Sequence, residues 1–394
     1  MAGGAALARR SDGRIVLVDD ALPGELVEVT ISARHGAARG TIVQIVESSA
    51  DRVVPVCPHV AEGCGGCDLA TLAHAAQLHA KVEIVADGLR RLGRWRDPVV
   101  RAGPSLDPWG FRTTLRLAIT NGRAGLRRAA SNAVVELDHC AVSHPLLDEL
   151  VADGGFGTAT EVMLRVGAAT GERMAVCTPD RDGVRLPGDV RVVGADELAA
   201  GKRAWIHEVV ADRHWRISAD SFFQTRPDGA AALVDVVSAL SADTFDTAPA
   251  EGERHHTLLD AYGGVGLFAG CLLAGRVGWR GVIVESNRSS VADARTNLAD
   301  LDTRVLANTV ERLRAPRADV VVADPSRAGL GRAGAAVLAA TGAPRIVLVS
   351  CDPAAAGRDL ALLVGHGYRP VEAVVVDLFP HTHHTEVVTR FDRD

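Results

Sequence analysis

The feature that most constrains the fold is a series of short apolar runs between Thr257 and Phe391, each closed by a polar tip and followed by a turn or a helix-like pattern. The first, Leu258-Leu-Asp-Ala-Tyr-Gly-Gly-Val-Gly-Leu-Phe-Ala269, sets Asp260 at the edge of an apolar start. Three glycines within four residues follow, and then apolar residues at helical spacing. Such a turn lets the backbone pass close to a ligand and aims helix N–H groups into the same space. The next runs are Gly281-Val-Ile-Val-Glu285, Val320-Val-Val-Ala-Asp324-Pro325 and Ile346-Val-Leu-Val-Ser350-Cys351-Asp352-Pro353. Buried strands of this kind predict an α/β domain with a Rossmann-like parallel sheet. Functional groups in such sheets stand at the carboxyl ends of the strands, so Asp260, Glu285, Asp324 and Cys351 are expected along one edge.

The glycine turn taken alone is also explained by a tight strand-to-helix connection. Its spacing, Gly263, Gly264, Gly266, is not the G-x-G-x-x-G of dinucleotide sites. Glu285, 25 residues after Asp260, is in reach of a ribose diol on a neighbouring strand, and neither Arg nor Lys occurs between Leu258 and Leu273 to meet a pyrophosphate. The combination favours the adenosine of S-adenosylmethionine, whose sulfonium is cationic.

Composition narrows the classes. A chain of 394 residues, 47% apolar and 23% charged, has room for two or three globular domains. The formal charge of −6 gives nucleic-acid binding no support by itself. Charge is uneven, however: ten arginines lie between Arg90 and Arg128 against only Asp97 and Asp107. A local basic surface is expected there, set against the blander reading of an ordinary solvated face. With no signal-peptide pattern and no uncharged apolar run of membrane-spanning length, a cytoplasmic protein without membrane attachment is expected.

Short strands are expected at Arg14–Val18, Glu25–Ile31 and Gly40–Val46, joined by Pro23-Gly24 and a His35-Gly36 loop. They suggest a small N-terminal β-barrel or half-barrel, trimmed at its first strand. Cys57, Cys64 and Cys67 then fall within eleven residues, and Cys140 follows at a distance. Clustering of this density in a cytosolic chain points to metal ligation by thiolates, with zinc and a [4Fe-4S] cluster both open and His59 a substitute ligand on the zinc reading. Cys177 and Cys271 have apolar neighbours and read as core residues.

An amphipathic helix is expected over residues 70–93, with Leu72, Ala76, His79, Val82, Val85 and Leu89 on its buried face. Strands at 112–119 and 124–127 alternate arginine with apolar residues, predicting one basic face that carries Arg112, Arg116 and Arg127. A helix at 145–151 and strands at 161–166 and 173–177 complete an α+β central region. Phe222 and Phe223, adjacent in a chain only 4% aromatic, must point apart if extended, so one can anchor in the core and the other can stack on a base. The helical stretch 230–240 leads into a polar surface connection at 241–255.

Together these stretches resemble the S-adenosylmethionine-dependent RNA uracil-5 methyltransferases, which make 5-methyluridine in ribosomal and transfer RNA. The resemblance runs through Leu22-Pro-Gly-Glu25, the cysteine cluster, Ser221-Phe-Phe-Gln224, Asp260-Ala-Tyr-Gly-Gly-Val-Gly266 and Asp324-Pro-Ser-Arg-Ala-Gly329. It continues through Ser350-Cys-Asp-Pro353 with Arg358-Asp359 to Asp377-Leu-Phe-Pro-His-Thr-His-His-Thr-Glu386. It implies a TRAM-like barrel over 1–54 that lacks its first strand, a central α+β domain over 55–210 and a methyltransferase domain over 211–394. It further implies Cys351 as nucleophile, Glu386 as base, and Gln224, Tyr262, Glu285 and Asp324 around the methyl donor and the reacting base. Cys57, Cys64, Cys67 and Cys140 match the ligands of the members that hold a [4Fe-4S] cluster. Where members often carry Asp-Pro-Pro-Arg and Ser-Cys-Asn-Pro, this chain has Ser326 and Asp352, and the Cys57–Cys64 spacing is one residue longer.

The expected chemistry explains these residue types. A thiolate adds to uracil carbon 6, carbon 5 attacks the methyl group, and a base then removes the carbon 5 proton so that the thiol leaves. Asp324 would hydrogen-bond the uracil N3–H or hold the enolate, and Phe222 would stack on a flipped base. His381, His383 and His384 lack an accompanying acid or thiol at ligand spacing and read as loop packing or RNA contacts rather than a metal site. Ribosomal RNA is favoured over transfer RNA because the cysteine cluster is commoner in ribosomal-type members, and no obligate protein partner is implied. Two other readings stand beside this one: the same fold methylating another substrate, where Cys351 would have no purpose, and an RNA-binding protein with a degenerate methyltransferase domain, which the presence of Cys351, Glu386, Asp324 and Gln224 opposes.

Overall fold

The computed structural model describes residues 3–32, 38–129, 131–245 and 255–393. The expected His35-Gly36 loop and most of the expected surface connection at 241–255 lie outside these residues. Strands β1 (Ala6–Arg9), β2 (Ile15–Val18), β3 (Leu26–Ser32) and β4 (Ala38–Glu47) form a sheet in the order β1-β2-β4-β3 around Val16, Val18 and Ala21. Strand β1 precedes the first strand expected from the sequence. Among the described residues β1 and β3 remain edges, so the segment is an open sheet, nearer to the expected half-barrel than to a closed barrel.

Helix α1 (His74–Arg91) and strand β5 (Val100–Ala102) follow. Helix α1 buries Gln77, Lys81, Val85, Ala86 and Leu89; Val85 and Leu89 are as the apolar spacing predicts, whereas Gln77 and Lys81 take the place of Ala76 and His79. The reason is tertiary: the two polar residues find fixed partners near the C-terminus.

The central region comprises β6 (Thr114–Thr120), β7 (Arg123–Arg127), β8 (Val134–Glu136), α2 (Pro145–Asp153), β9 (Gly155–Phe156), β10 (Glu161–Val166), β11 (Arg173–Thr178), β12 (Val184–Arg185), β13 (Val190–Gly194) and the short α3 (Ala195–Ala199). Six of its strands form one sheet in the order β13-β11-β10-β6-β7-β8, and β9 pairs with β12. Alternate residues such as Leu115, Leu117, Val162 and Leu164 point under α2, where Leu147 and Leu150 complete the core.

A hairpin of β14 (Trp205–Val210) and β15 (Arg213–Ser218) straddles the boundary expected at residue 210. Helix α4 (Pro227–Phe245) runs past the end expected at Leu240. Then come β16 (His256–Ala261), α5 (Leu267–Leu273), β17 (Trp279–Glu285), α6 (Arg288–Asn297), β18 (Thr303–Ala307), β19 (Val320–Ala323), α7 (Gly331–Ala340), β20 (Arg345–Ser350), α8 (Pro353–Gly365), β21 (Arg369–Val376) and β22 (Glu386–Asp392). They form an eight-stranded sheet, β18-β17-β16-β19-β20-β22-β21-β5, whose last strand comes from the first third of the chain. Successive residues alternate between its faces: Leu258 packs in the cluster with Leu233, Val237 and Leu240 of α4, and Leu259 in the cluster with Val85 of α1 and Leu360 of α8. Among the described residues no helix is long and apolar enough to cross a membrane.

Candidate active site

Strands β16, β17, β19 and β20 run parallel, so their carboxyl ends share one edge. Strand β22 runs antiparallel to β20, with Ser350 opposite Val387, and so its first residue, Glu386, starts at the edge where β20 stops. Cys351 follows β20 directly and Asp324 follows the neighbouring β19. Topology therefore gathers Cys351, Asp324 and Glu386 from segments far apart in sequence.

Cys351 and Asp324 are half-buried, and Glu386 is buried, at 3% exposed. Burial first, and then the neighbouring Asp324, hold its carboxyl well above the usual carboxylate range, with Arg327 acting the other way. Asp324 is pushed up to about 7 by burial and by Asp260. The Cys351 thiol is pushed up to about 11 by burial, then by Glu386 and Asp324, while Arg327 again opposes. Four groups thus share one field: three that favour holding a proton and one guanidinium that favours releasing it. Buried hydroxyls of Ser350 and Thr385, next to the thiol and the carboxyl, have no hydrogen-bond partner within the protein.

Arg327, which sequence reasoning leaves without a role although it stands in the Asp324-Pro-Ser-Arg motif, acts on both the thiol and the Glu386 carboxyl. The loop that carries it is pinned from α8: the Asp359 carboxylate accepts from Leu330 N at 2.7 Å and from Gly331 N at 3.2 Å. Asp352 caps the same helix by accepting from Ala355 N at 2.6 Å, with Pro353 at its start.

The glycine turn forms the adjoining part of the edge. Gly264 and Gly266 have φ of 54° and 93°, and a Cβ at Gly266 would lie 2.8 Å from Leu298 Cδ1. Left-handed backbone and close approach together require glycine at this position. Asp260 accepts from Ala269 N at 2.9 Å, while its buried Oδ1 has no partner in the protein, and burial raises its carboxyl to about 7. At the tip of β17, Glu285 accepts from Gly264 N at 3.0 Å and from Asn287 N at 2.6 Å. Tyr262, itself at φ 63°, donates its hydroxyl to Glu311 at 2.8 Å.

Gln224 and Phe222 sit on a loop fixed by an acid that no sequence motif singles out. Asp293 on α6 is fully buried; it accepts from Ser221 Oγ at 2.6 Å, Ser218 N at 2.8 Å and Arg216 Nε at 2.7 Å. Arg165 donates to the Ser218 and Ser221 carbonyls at 2.9 and 3.0 Å. On this loop Phe223 is buried and Phe222 is 65% exposed, the divided arrangement expected for an anchor and a stacking ring.

The cysteines form a second centre. Cys57, Cys64, Cys67 and Cys140 line one cavity of about 30 Å³ with Leu115, Leu126, Leu137 and Val142. Burial pushes the Cys67 thiol up to about 12, with the neighbouring cysteines adding to it. No group of three or more such side chains is drawn together for a single ion among the described residues. The four thiols face one cavity with room for only about two waters, so the arrangement by itself selects neither an ion nor a cluster. His59 is buried and lies 3.0 Å from Asp138 Oδ1.

The expected basic face is divided. Arg116 and Arg127 are exposed, with Arg116 paired to Glu161 at 3.1 Å, but Arg112 turns inward and lines the cysteine cavity. Burial lowers its guanidinium from the usual value. The alternation fails there because Arg112 precedes β6 in a bridge to Ser143 rather than lying within the strand.

The chain is 36% identical to an uncharacterized RNA methyltransferase of Streptomyces coelicolor, covering 98% of this chain and 89% of the relative. It is 33% identical to one of Gloeobacter violaceus, covering 100% and 94%. Among solved structures, a tRNA (uracil-54, C5)-methyltransferase of Pyrococcus abyssi in complex with S-adenosyl-L-homocysteine matches with a TM-score of 0.70 at 26% identity, over 98% of this chain and 100% of that one. No family model matches the chain.

Proposed function

The chain belongs to the RNA methyltransferase family of these relatives, and from that premise we propose that it transfers the methyl group of S-adenosylmethionine to carbon 5 of a uridine in RNA. The observation that carries this reading is the antiparallel entry of β22 beside β20, which sets a buried carboxyl next to a thiol at the edge where the glycine turn opens. A methyltransferase acting on an exocyclic nitrogen would use neither group.

Cys351 loses its proton and adds to carbon 6 of the uracil, with Arg327 favouring the thiolate. Carbon 5, now enolate-like, takes the methyl group from the sulfonium, leaving S-adenosylhomocysteine. Glu386 removes the remaining carbon 5 proton, the double bond re-forms and the thiolate is expelled. A carboxyl held above its usual range is suited to this, because a base works best when its pKa lies near the operating pH. Asp324 orients the uracil ring through N3–H, Phe222 stacks on the flipped base, and Gln224, Tyr262, Glu285 and the glycine turn hold the methyl donor. Arg116 and Arg127 contact RNA phosphates.

Cys57, Cys64, Cys67 and Cys140 would hold a [4Fe-4S] cluster, which ties the segment after the N-terminal sheet to the central region and takes no part in the steps above. That cluster favours a ribosomal RNA target; the likeness to a tRNA enzyme supports transfer RNA as the second reading. Mapping 5-methyluridine in both RNA classes from cells with and without the protein decides between them.

The test of the chemistry is RNA carrying 5-fluorouridine at the target position. Fluorine occupies the place of the proton, so a methylated covalent adduct at Cys351 is expected to accumulate and to be found by mass spectrometry. Glu386→Gln is expected to trap the same adduct on ordinary RNA. Turnover by Cys351→Ala, or an adduct at Cys177 or Cys271, overturns the assignment.

A further inference from the structure

Two polar side chains of helix α1, Gln77 and Lys81, are completely buried. Their partners converge on the nine residues 377–385 between β21 and β22, which have no regular structure and lead directly into Glu386. Lys81 donates to Asp377 Oδ1 at 2.6 Å and to the Phe379 carbonyl at 2.9 Å. Gln77 accepts from His381 N at 2.7 Å, while its amide nitrogen donates to the Leu72 carbonyl at 2.7 Å and the Leu69 carbonyl at 3.1 Å. Leu69 N in turn donates to the His381 carbonyl at 2.8 Å.

His381 has φ of 63°, a left-handed conformation that is unfavourable for a non-glycine residue and persists only when its surroundings impose it. Gln77, Leu69 and Trp109, stacked on the imidazole at 4.1 Å, are those surroundings. Farther along, Asp68 holds His383 through its backbone N at 2.9 Å and through the ring Nδ1, and His384 Nε2 lies 3.4 Å from Arg327. The loop is therefore shaped from outside, almost entirely by residues 68–81.

We propose that Gln77 and Lys81 are positioning residues for Glu386: they fix the path of loop 377–385 and thereby the approach of the carboxyl to the proton it removes. The inference rests on reading Glu386 as the base. The nucleophile stands on the end of β20 and the capped start of α8, which α1 meets through Gly88 against Pro353, about two turns beyond Lys81, and the methyl donor's turn hangs on β16. Loss of Gln77 or Lys81 should thus fall on the release step and spare addition and methyl transfer.

The experiment compares Gln77→Met with the parent and with Glu386→Gln in single-turnover reactions. With 5-fluorouridine RNA, adduct formation by Gln77→Met is expected at the parent rate. On ordinary target RNA, release is expected to slow by about ten- to a hundredfold, the scale set by displacing a catalytic group by about 1 Å, so that methylated adduct accumulates. Equal slowing of formation and release, or no slowing of either, overturns the proposal. If Glu386→Gln itself traps no adduct, the base assignment fails whatever Gln77→Met does. Should Gln77→Met not fold, Lys81→Gln is read in the same way; if neither folds, the two residues are structural and the proposal falls.

Discussion

Cys351 and the four cysteines of the cavity are thiols in one chain with opposite company. Burial raises Cys351 to about 11 and Cys67 to about 12, so burial does not tell them apart. Around Cys351 stand two carboxyls that favour protons, a guanidinium that opposes them and unpartnered hydroxyls. Around Cys67 stand other thiols, apolar side chains and the Arg112 guanidinium, but no carboxyl lines the cavity. The first setting can pass a proton along and let a sulfur come and go. The second, on the proposed reading, offers sulfur to a resident group. A thiol's role is thus read from the charges and donors beside it, not from how deeply it lies.

The sharpest break of this comparison is to remove one thiol of each kind. Cys351→Ala is expected to lose both adduct and methylation, with a fall in rate on the order of 10⁶ as for other lost covalent nucleophiles, while Cys67→Ser still forms the adduct. Mass spectrometry of denatured reactions reads both outcomes; a Cys67→Ser enzyme with no adduct would merge the two centres into one.

Iron analysis of protein purified without oxygen comes second. About four irons per chain are expected, falling to near none in Cys67→Ser, with Tm lowered by about 5 °C or more since ligand binding and folding are coupled. Stoichiometric zinc, or unchanged unfolding, would remove the distinction between a resident group and an ordinary apolar cavity.

A pH profile sharpens the other side. Because the folded Cys351 thiol is raised to about 11, it is mostly protonated at neutral pH, and adduct formation should climb by about tenfold per pH unit from about pH 7 to 9 as thiolate appears. Asp324→Asn removes a charge that raises the thiol, so its profile should shift to lower pH. A shift the other way, in stopped-flow trapping on 5-fluorouridine RNA, would contradict the field described for this edge.

The smallest effects are expected from the arginines. Arg116→Glu with Arg127→Glu should weaken RNA binding several-fold and lessen the salt slope by about two, one for each phosphate no longer neutralised. Arg112→Glu should instead disturb the cysteine cavity and thermal unfolding. Equal salt slopes for the paired variant and the parent would reduce these arginines to a solvated surface.

What is legible in the sequence follows from where each signal is stored. Strand runs with polar tips at Asp260, Glu285, Asp324 and Cys351 are local patterns, and a parallel sheet turns them into one edge without further information. Glu386 needs the topology, because only an antiparallel last strand begins where the others end. The spacing of apolar residues locates helix α1 and finds Val85 and Leu89 in its buried face, but misses Gln77 and Lys81, which are buried for partners about 300 positions away. Arg112 misleads for the same reason: alternation assigns faces inside a strand, and this residue stands just before one. Strand count leaves barrel and half-barrel open, because it does not specify closure.

Strand β5 pairs with β21, and Arg101 meets Glu372 across a separation of 271 positions. During synthesis this segment and α1 emerge early and wait, unpartnered, until nearly the whole chain has followed. Contacts of that span slow folding. They also mean that a fragment beginning at residue 211 would carry an uncovered sheet edge and a bare apolar face where α1 should lie, a surface prone to aggregation. The catalytic unit is accordingly discontinuous in sequence, and any attempt to transplant or truncate it has to bring residues 68–102 along.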